Sequence, residues 1–595
     1  MDENETTAAV LPTGARRGVG AVALLALLAV TGLLSRRPLT DYDLPWNLAT
    51  GRLLVATRSI PRLDDLAFTH GPLRYVEVLG DVFFHGVDWS LHGPGLQLVG
   101  ALSCAGAVLV TFLRMRRAGL VAYLISAWLT AAGAQWFTVR PATLSLLLLP
   151  IGLLVVDVHR ENPVAWKRLV PVVPLSFVWA NVHGMVAFFC ALLVAYGVAT
   201  AITSLRAMRP TTPLPRRSVA TTAVVIVAAL AAASVNTLGP ALLLGPLRGD
   251  EVLGGITEWA RPTPSYFVAD VPVASALLLF SLLATAFGRE PDGRRALPLF
   301  DVAVTALALF GFLSVVRLTP LSLLLVTPIA ARRLAPFVPS TLLVALAAAL
   351  AAPAAAVYVA LFVPRAADPG FERARFPVAA TDFVTAVKPV GQMYNFMPFG
   401  GYLAYRLYPT YRVFMDGRNT LARSAAFVKR AQAASKDALT FDAVVLDDHL
   451  EWAMTTSADG EVHDLPLARS AAFRMIYLDD VAAIYVRRDG PNAKLSQRGY
   501  RALRHLIQPA ALLDEAMRDG PVAVALGHDG ALALTQAPDS PRACFLAAAG
   551  GIAVRDEKLF SKGVGRLAEL APSHPAFAVL ERAWDLRMHG GAPAP

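Results

Sequence analysis

The sequence predicts a multi-pass α-helical membrane protein of about eleven spanning helices, continued by an α/β domain and an α-helical tail. Three observations carry this reading. The 595 residues are 55% hydrophobic and only 16% charged, with a mean hydropathy of +0.51, against about 25% charged in a typical soluble domain. Apolar runs of helical length recur from residue 18 to residue 363, divided by short arginine-bearing connections. Beyond residue 365 those runs stop, and short β-rich stretches alternate with helical ones.

The formal charge of +10 does not point to nucleic acid. Its arginines cluster between apolar runs, as the positive-inside rule explains, and no stretch interleaves basic and aromatic residues along a soluble face. Cys104, Cys190 and Cys544 have no metal-type spacing and form no obvious disulfide.

Residues 1–17 are polar and end in Arg16-Arg17, which reads as a disordered cytoplasmic tail. The apolar run 18–34 follows without an A-x-A-like cleavage site, so it is a spanning helix and not a signal peptide. Further runs are 94–113, 120–136, 142–156, 169–180, 185–204, 219–235, 271–287, 299–316, 318–331 and 337–363. The run at 169–180 is short and carries Pro171 and Pro174, the mark of a broken or re-entrant helix. With the N-terminus inside, every second connection is basic: Arg114, Arg116 and Arg117; Arg160, Lys167 and Arg168; Arg206, Arg209, Arg216 and Arg217; Arg289, Arg294 and Arg295; Arg332 and Arg333. Arg36-Arg37 is the exception. An odd number of spans places the C-terminal region outside.

The outer ends carry a different set: Asp41 and Asp43, Arg140, Asn181 and His183, Asn236, Glu258-Trp259, and Arg317. Most are isolated polar residues at the end of an apolar run, where ionisable groups are costly and usually have a purpose. The outer loop 35–93 is too long for a simple connector, and 48–55 and 76–84 each suit a short interfacial helix. Residues 366–490 read as a small extracytoplasmic α/β domain with a mostly parallel sheet, its strands at 392–395, 411–415, 443–446, 474–478 and 482–486. Residues 491–595 are helical, without a clean 34-residue period, and favour a protein partner.

Several pieces recur in a recognisable order. They are Asp43-Leu44-Pro45-Trp46-Asn47-Leu48-Ala49-Thr50-Gly51, Ile60-Pro61-Arg62-Leu63-Asp64-Asp65, Arg140-Pro141, Trp179-Ala180-Asn181-Val182-His183-Gly184, Asn236 with Gly239, Glu258-Trp259 and Arg317. Asn395-Phe396-Met397-Pro398-Phe399-Gly400-Gly401 and Phe414-Met415-Asp416-Gly417-Arg418 continue them. Together they resemble bacterial multispanning proteins of the GT-C glycosyltransferase type, related to the polyprenyl-phosphate-sugar-dependent mannosyl- and arabinosyltransferases. The resemblance covers roughly residues 18 to 488. Asn47 stands where the pattern has histidine, and Tyr75 where it has tryptophan.

The resemblance implies sugar transfer from a polyprenyl-phosphate carrier to an acceptor at the outer face of the bacterial cytoplasmic membrane. Asp43 is then the first choice for the base that takes the acceptor proton, and Asp41 the second. Arg140 and Arg317, with His183 as a lesser candidate, would meet the donor phosphate. Trp46, Asn47, Asp65, Asn181, Asn236, Glu258, Asp416 and Arg418 would line the cavity or touch the acceptor. Paired acids also suit a divalent Mg or Mn ion, which Asp-Tyr-Asp alone does not establish.

Each residue also has a plainer role. Asp41 suits a helix cap, Arg140 and Arg317 suit snorkelling to the interface, the tryptophans suit an aromatic belt, and Asp157 suits a boundary position. Gly400-Gly401 lacks nucleotide-loop spacing and suits a tight strand-to-helix turn. Two other classes stand beside the enzyme: a non-catalytic protein of the same scaffold binding a lipid-linked glycan or an assembly partner, and a transporter.

Overall fold

The computed structural model describes residues 13–35, 38–206, 216–244, 260–338, 370–418, 422–458 and 462–589. Arg36-Arg37, Arg209, Glu258-Trp259 and nearly all of the last apolar run, 337–363, lie outside them. The chain forms two compact units: residues 1–41, 54–60 and 74–370, and residues 42–53, 61–73 and 371–595.

The first unit is helical. In chain order its helices are α1 (Thr13–Ser35), α3 (Val78–Met115), α4 (Leu120–Gly133), α5 (Pro141–Glu161), α6 (Val172–Ala180), α7 (Val186–Arg206), α8 (Arg216–Ala233), α9 (Ala241–Leu244), α10 (Pro272–Phe287), α11 (Leu299–Ser314) and α12 (Thr319–Leu334); α2 (Leu44–Thr57) begins in the second unit. Among the described residues, four helical stretches are long and apolar enough to cross a membrane: Val78–Ala118, Pro141–Glu161, Val186–Leu205 and Val316–Phe337. Five shorter apolar helices accompany them: Ala21–Ser35, Leu120–Trp136, Arg217–Ala233, Pro272–Phe287 and Leu299–Ser314. Outward-facing Val194, Val198, Val224, Val227, Leu279 and Phe310 are exposed, which suits contact with lipid. Trp179 stacks on Phe189 at 5.5 Å in the unit's core.

Two expected elements differ. The short helix at 76–84 and the span at 94–113 are one element, α3, bent at His92 (φ 52°) ahead of Pro94. The Pro94 ring lacks an N–H and crowds the preceding turn, and the axis bends at His92. The run at 169–180 yields a helix of only nine residues, about 14 Å at 1.5 Å per residue, less than half of the ~30 Å hydrocarbon layer. Pro171 sits at its N-cap, and main-chain bonds from Asn181, Val182 and His183 close its last turn.

The basic connections come together at one end of this unit. There Arg114 pairs with Asp157 (2.8 Å), Arg117 with Glu161 (2.9 Å) and Arg160 with Asp301 (2.9 Å). Arg332 pairs with Asp301 and with Glu290 (2.8 Å), and the fully buried Arg333 also reaches Glu290. Asp157 is thus held by both Arg114 and Arg160. Residues 75–81, 181–183 and 235–237 meet elsewhere: the Asn181 carbonyl accepts from Leu79 and Gly80, and Val76 N–H donates to Thr237 Oγ1 at 2.8 Å.

The second unit holds a four-stranded sheet, β1 (Gln392–Asn395), β2 (Leu450–Thr456), β3 (Phe473–Leu478) and β4 (Ala482–Arg487), in the order β1-β2-β4-β3. Only β1 and β2 run parallel; β2–β4 and β3–β4 are antiparallel, so the expectation of a mostly parallel sheet does not hold. Residues 411–415 form no strand, because the Asn395 side chain takes the Phe414 N–H and bonds the Met415 carbonyl, leaving Val413 a single bridge to Ala67. The β-branched run at 443–446 is helical, within Ala438–Asp447. Asp437 caps that helix by accepting the Thr440 N–H, and a cap outweighs the weak strand preference of two valines.

The tail helices Gly520–Gln536, Pro541–Val554 and Glu557–Leu570 start at Asp519, Ser540 and Asp556, each accepting a first-turn N–H. A Cβ on Gly530 would lie 2.3 Å from the Leu546 carbonyl, so glycine there allows two helix backbones to touch. Buried His505 lies 2.9 Å from the Tyr485 hydroxyl and 2.9 Å from the His463 carbonyl, and burial lowers its pKa to about 4. The unfolded imidazole, near 6.5, then binds a proton that the folded one refuses. Its contribution is complete above about pH 6.5 and is lost as pH falls towards 4, about 3 kcal/mol in all. Unfolding of wild type and His505→Gln between pH 7.5 and 4.5 tests this: the wild type's excess loss of stability should be absent from the variant.

Candidate active site

In the first unit, three helices begin beside a basic residue. Arg140 is the N-cap of α5 with Pro141 at the first helical position, His183 closes the turn ahead of α7, and Arg317 lies in the single turn before α12. Helix starts carry unsatisfied N–H groups and the positive end of the dipole, so both backbone and side chains favour an anion.

The side chains interlock. Arg140 Nη1 lies 3.1 Å from Asp41 Oδ2, both almost closed to solvent. Arg317 Nη2 lies 3.4 Å from His183 Nε2, and Glu77 Oε1 lies 4.0 Å from the same nitrogen. On the other side of the ring, His183 Nδ1 is 3.1 Å from Ser145 Oγ, which accepts from Trp179 Nε1 at 2.9 Å. His183 Nδ1 also accepts the Met185 N–H at 3.3 Å, so Ser145 and the main chain together fix the ring. Burial, then Arg317 and Arg140, hold the His183 pKa well below the usual imidazole value. The imidazole is therefore neutral at pH 7 and orients Arg317 without repelling it.

Other candidates in this unit hold the backbone. Asn181 Nδ2 donates to the Phe177 and Val235 carbonyls, and Asn236 bonds the Ala233 and Gly239 carbonyls while accepting Leu238 N–H. Tyr75 donates to the Ala180 carbonyl at 2.8 Å. Asp41 lies three residues before α2 and pairs with Arg140. Asp43, which belongs to the second unit, is the residue directly before α2, and its carbonyl accepts the Asn47 N–H.

In the second unit, Trp46 Nε1 donates to Asp43 Oδ1 at 3.2 Å. A Cβ on Gly417 would come within 3.1 Å of that oxygen, so the glycine lets the Asp416–Arg418 backbone lie against Asp43. Asn47 is fully buried. Arg418 donates to Asp416 and, at 2.9 Å, to Asp64 Oδ2, which also accepts from Arg423 at 2.7 Å. Asp64, Asp416, Arg418 and Arg423 are all nearly inaccessible, two of each sign. Burial opposes the Asp416 charge, but Arg418 outweighs it and keeps the carboxyl below the usual carboxylate range. The Arg418 guanidinium also lies 6.0 Å from the Trp46 ring. Asp65, half-buried, is not part of this quartet.

No family model matches the chain, and no curated protein matches it. Among solved structures it is similar to an oligosaccharyltransferase of Archaeoglobus fulgidus tethered to an acceptor peptide, at 11% identity over 73% of this chain and 69% of that one (TM-score 0.47). It is also similar to ArnT of Cupriavidus metallidurans bound to undecaprenyl phosphate, at 16% identity over 80% and 98% (TM-score 0.46). A third likeness is to the mycobacterial arabinofuranosyltransferase AftD, at 15% identity (TM-score 0.45), where 80% of this chain spans 42% of that one.

Sequence reasoning singled out Arg140, Arg317, His183 and Asp41, and these form two contacting pairs. It passed over Glu77, Ser145, Asp64 and Arg423. Glu77, directly before α3, had a signal: an acid at the edge of a long apolar stretch. Ser145 had none, since serine inside an apolar run is unremarkable. Among the described residues no three His, Cys, Asp or Glu side chains form a metal-binding group.

Proposed function

We propose that this chain is a bacterial cytoplasmic-membrane glycosyltransferase that moves a sugar from a polyprenyl-phosphate carrier to an acceptor at the extracytoplasmic face. The observation that carries the reading is the meeting of Arg140–Asp41 and Arg317–His183–Glu77 at helix starts. Arg140 and Arg317 hold the donor phosphate and stabilise the charge that grows on it as the glycosidic bond breaks, through charge-assisted hydrogen bonds. Neutral His183, set by Ser145, keeps Arg317 in place. Asp41 takes the proton of the acceptor hydroxyl as that oxygen attacks the anomeric carbon. No step is assigned to a divalent ion. The arginine-rich end of the first unit faces the cytoplasm.

Sugar transfer from a polyprenyl-phosphate donor in proteoliposomes tests this. Asp41→Asn should lower the rate by about 10²- to 10⁴-fold, the usual worth of a positioned base. Loss in Asp43→Asn with full transfer by Asp41→Asn would give the proton to Asp43, as the family pattern implies. A second reading, a non-catalytic lipid-glycan binder, is favoured by buried Asn47 at the pattern's histidine position. Donor binding by the wild type without any transfer would establish that reading instead.

A further inference from the structure

Of the two arginines assigned to the donor phosphate, Arg140 holds a carboxylate directly, and Arg317 approaches an imidazole that a carboxylate also approaches. Asp41 Oδ2 is 3.1 Å from Arg140 Nη1, with side-chain exposures of only 11% and 14%. Glu77 stands 4.0 Å from the imidazole nitrogen that Arg317 approaches at 3.4 Å. Neither acid is near its arginine in sequence: Asp41 precedes α2, Arg140 heads α5, Glu77 precedes α3 and Arg317 heads α12. The fold therefore sets an anion directly on Arg140, while Arg317 and Glu77 share the His183 nitrogen.

A carboxylate oxygen and a phosphate oxygen both bond the planar guanidinium fork, so they compete for the same N–H groups. While Arg140 holds Asp41, its N–H groups occupy the carboxylate oxygen that would otherwise take the acceptor proton. We infer that the donor phosphate takes Arg140 from Asp41, and that Asp41 becomes a base only after the donor has bound. This rests on the glycosyl-transfer reading above. Once released, the Asp41 carboxylate oxygen is open to the acceptor hydroxyl. The acceptor O–H gives its proton to Asp41, the acceptor oxygen bonds the anomeric carbon, and the carbon–oxygen bond to phosphate breaks. The electron pair leaves on the phosphate, where Arg140 meets it. Donor binding thus precedes acceptor activation.

Removing the charge of this catalytic carboxylate should strengthen donor binding, opposite in sign to the usual effect. With the full-length protein in nanodiscs and a polyprenyl monophosphate as probe, Asp41→Asn should bind about tenfold more tightly than wild type, and Arg140→Gln about tenfold more weakly. In Asp41→Asn/Arg140→Gln the gain should vanish, because the two changes act on one contact. Unchanged or weaker binding by Asp41→Asn, with Arg140→Gln still weakened, overturns the competition and leaves the functional reading standing. No binding by the wild type, or binding indifferent to Arg140, overturns that reading and the inference with it. Asp41→Asn/Arg140→Gln binding as tightly as Asp41→Asn also overturns the competition, since the gain would then arise elsewhere.

Discussion

On the proposed glycosyl transfer, Arg317→Gln should lower kcat/KM by about 10²- to 10³-fold, the loss seen when one preorganised donor to a developing oxyanion is removed. The prediction follows from its position. Arg317 lies at the start of α12, 3.4 Å from a neutral His183 whose other nitrogen is fixed by Ser145 and Trp179. Its charge is preorganised, so reaction costs no further ordering. Because the negative charge is greatest in the transition state, most of the loss should fall on kcat and less on KM. Arg317→Lys should recover only part of the rate, since lysine restores the charge but not the planar fork. Steady-state kinetics on purified variants, matched for folded protein, decide the matter. A wild-type kcat in Arg317→Gln would remove Arg317 from the reaction.

Asp64→Ala should destabilise the second unit by about 3–5 kcal/mol, the cost of leaving a buried charge without its partner. Asp64 accepts from both Arg418 (2.9 Å) and Arg423 (2.7 Å), and all three side chains are nearly inaccessible. Removing the acid leaves two guanidiniums buried against Asp416 alone. Asp65→Ala is the control, because its half-buried side chain lies outside the quartet. Urea unfolding of the full chain in detergent measures the difference. Equal midpoints for the two variants would show that Arg418 and Arg423 find other partners.

The two expectations rest on differently legible features. Arg140, His183 and Arg317 stood out because each breaks an apolar run at the same end, and that alternation is visible along the chain. The α5, α7 and α12 helices followed from contiguous hydropathy alone. Residues 443–446 misled, since Val444 and Val445 fit a strand while the cap at Asp437 starts a helix. Asp65 was chosen over Asp64 for a similar reason. Neighbouring acids look alike in a sequence, and only the hairpin at residues 62–73, with Gly71 pressed on the Ala422 carbonyl, turns Asp64 inward.

By itself, the sequence determined the apolar helices, their approximate limits and the basic connections between them. Those properties depend on runs of neighbouring residues, because burial of a helix in lipid is set by its own length and side chains. Tertiary structure alone decided the sheet's strand directions, the bend of α3 at His92 and the choice of partner for each charge. Arg418 and Asp64 are 354 residues apart, and Asp41 reaches Arg140 across several helices. Ion pairs leave no periodic trace in a sequence, and their partners are fixed only when packing brings distant segments within a few ångströms.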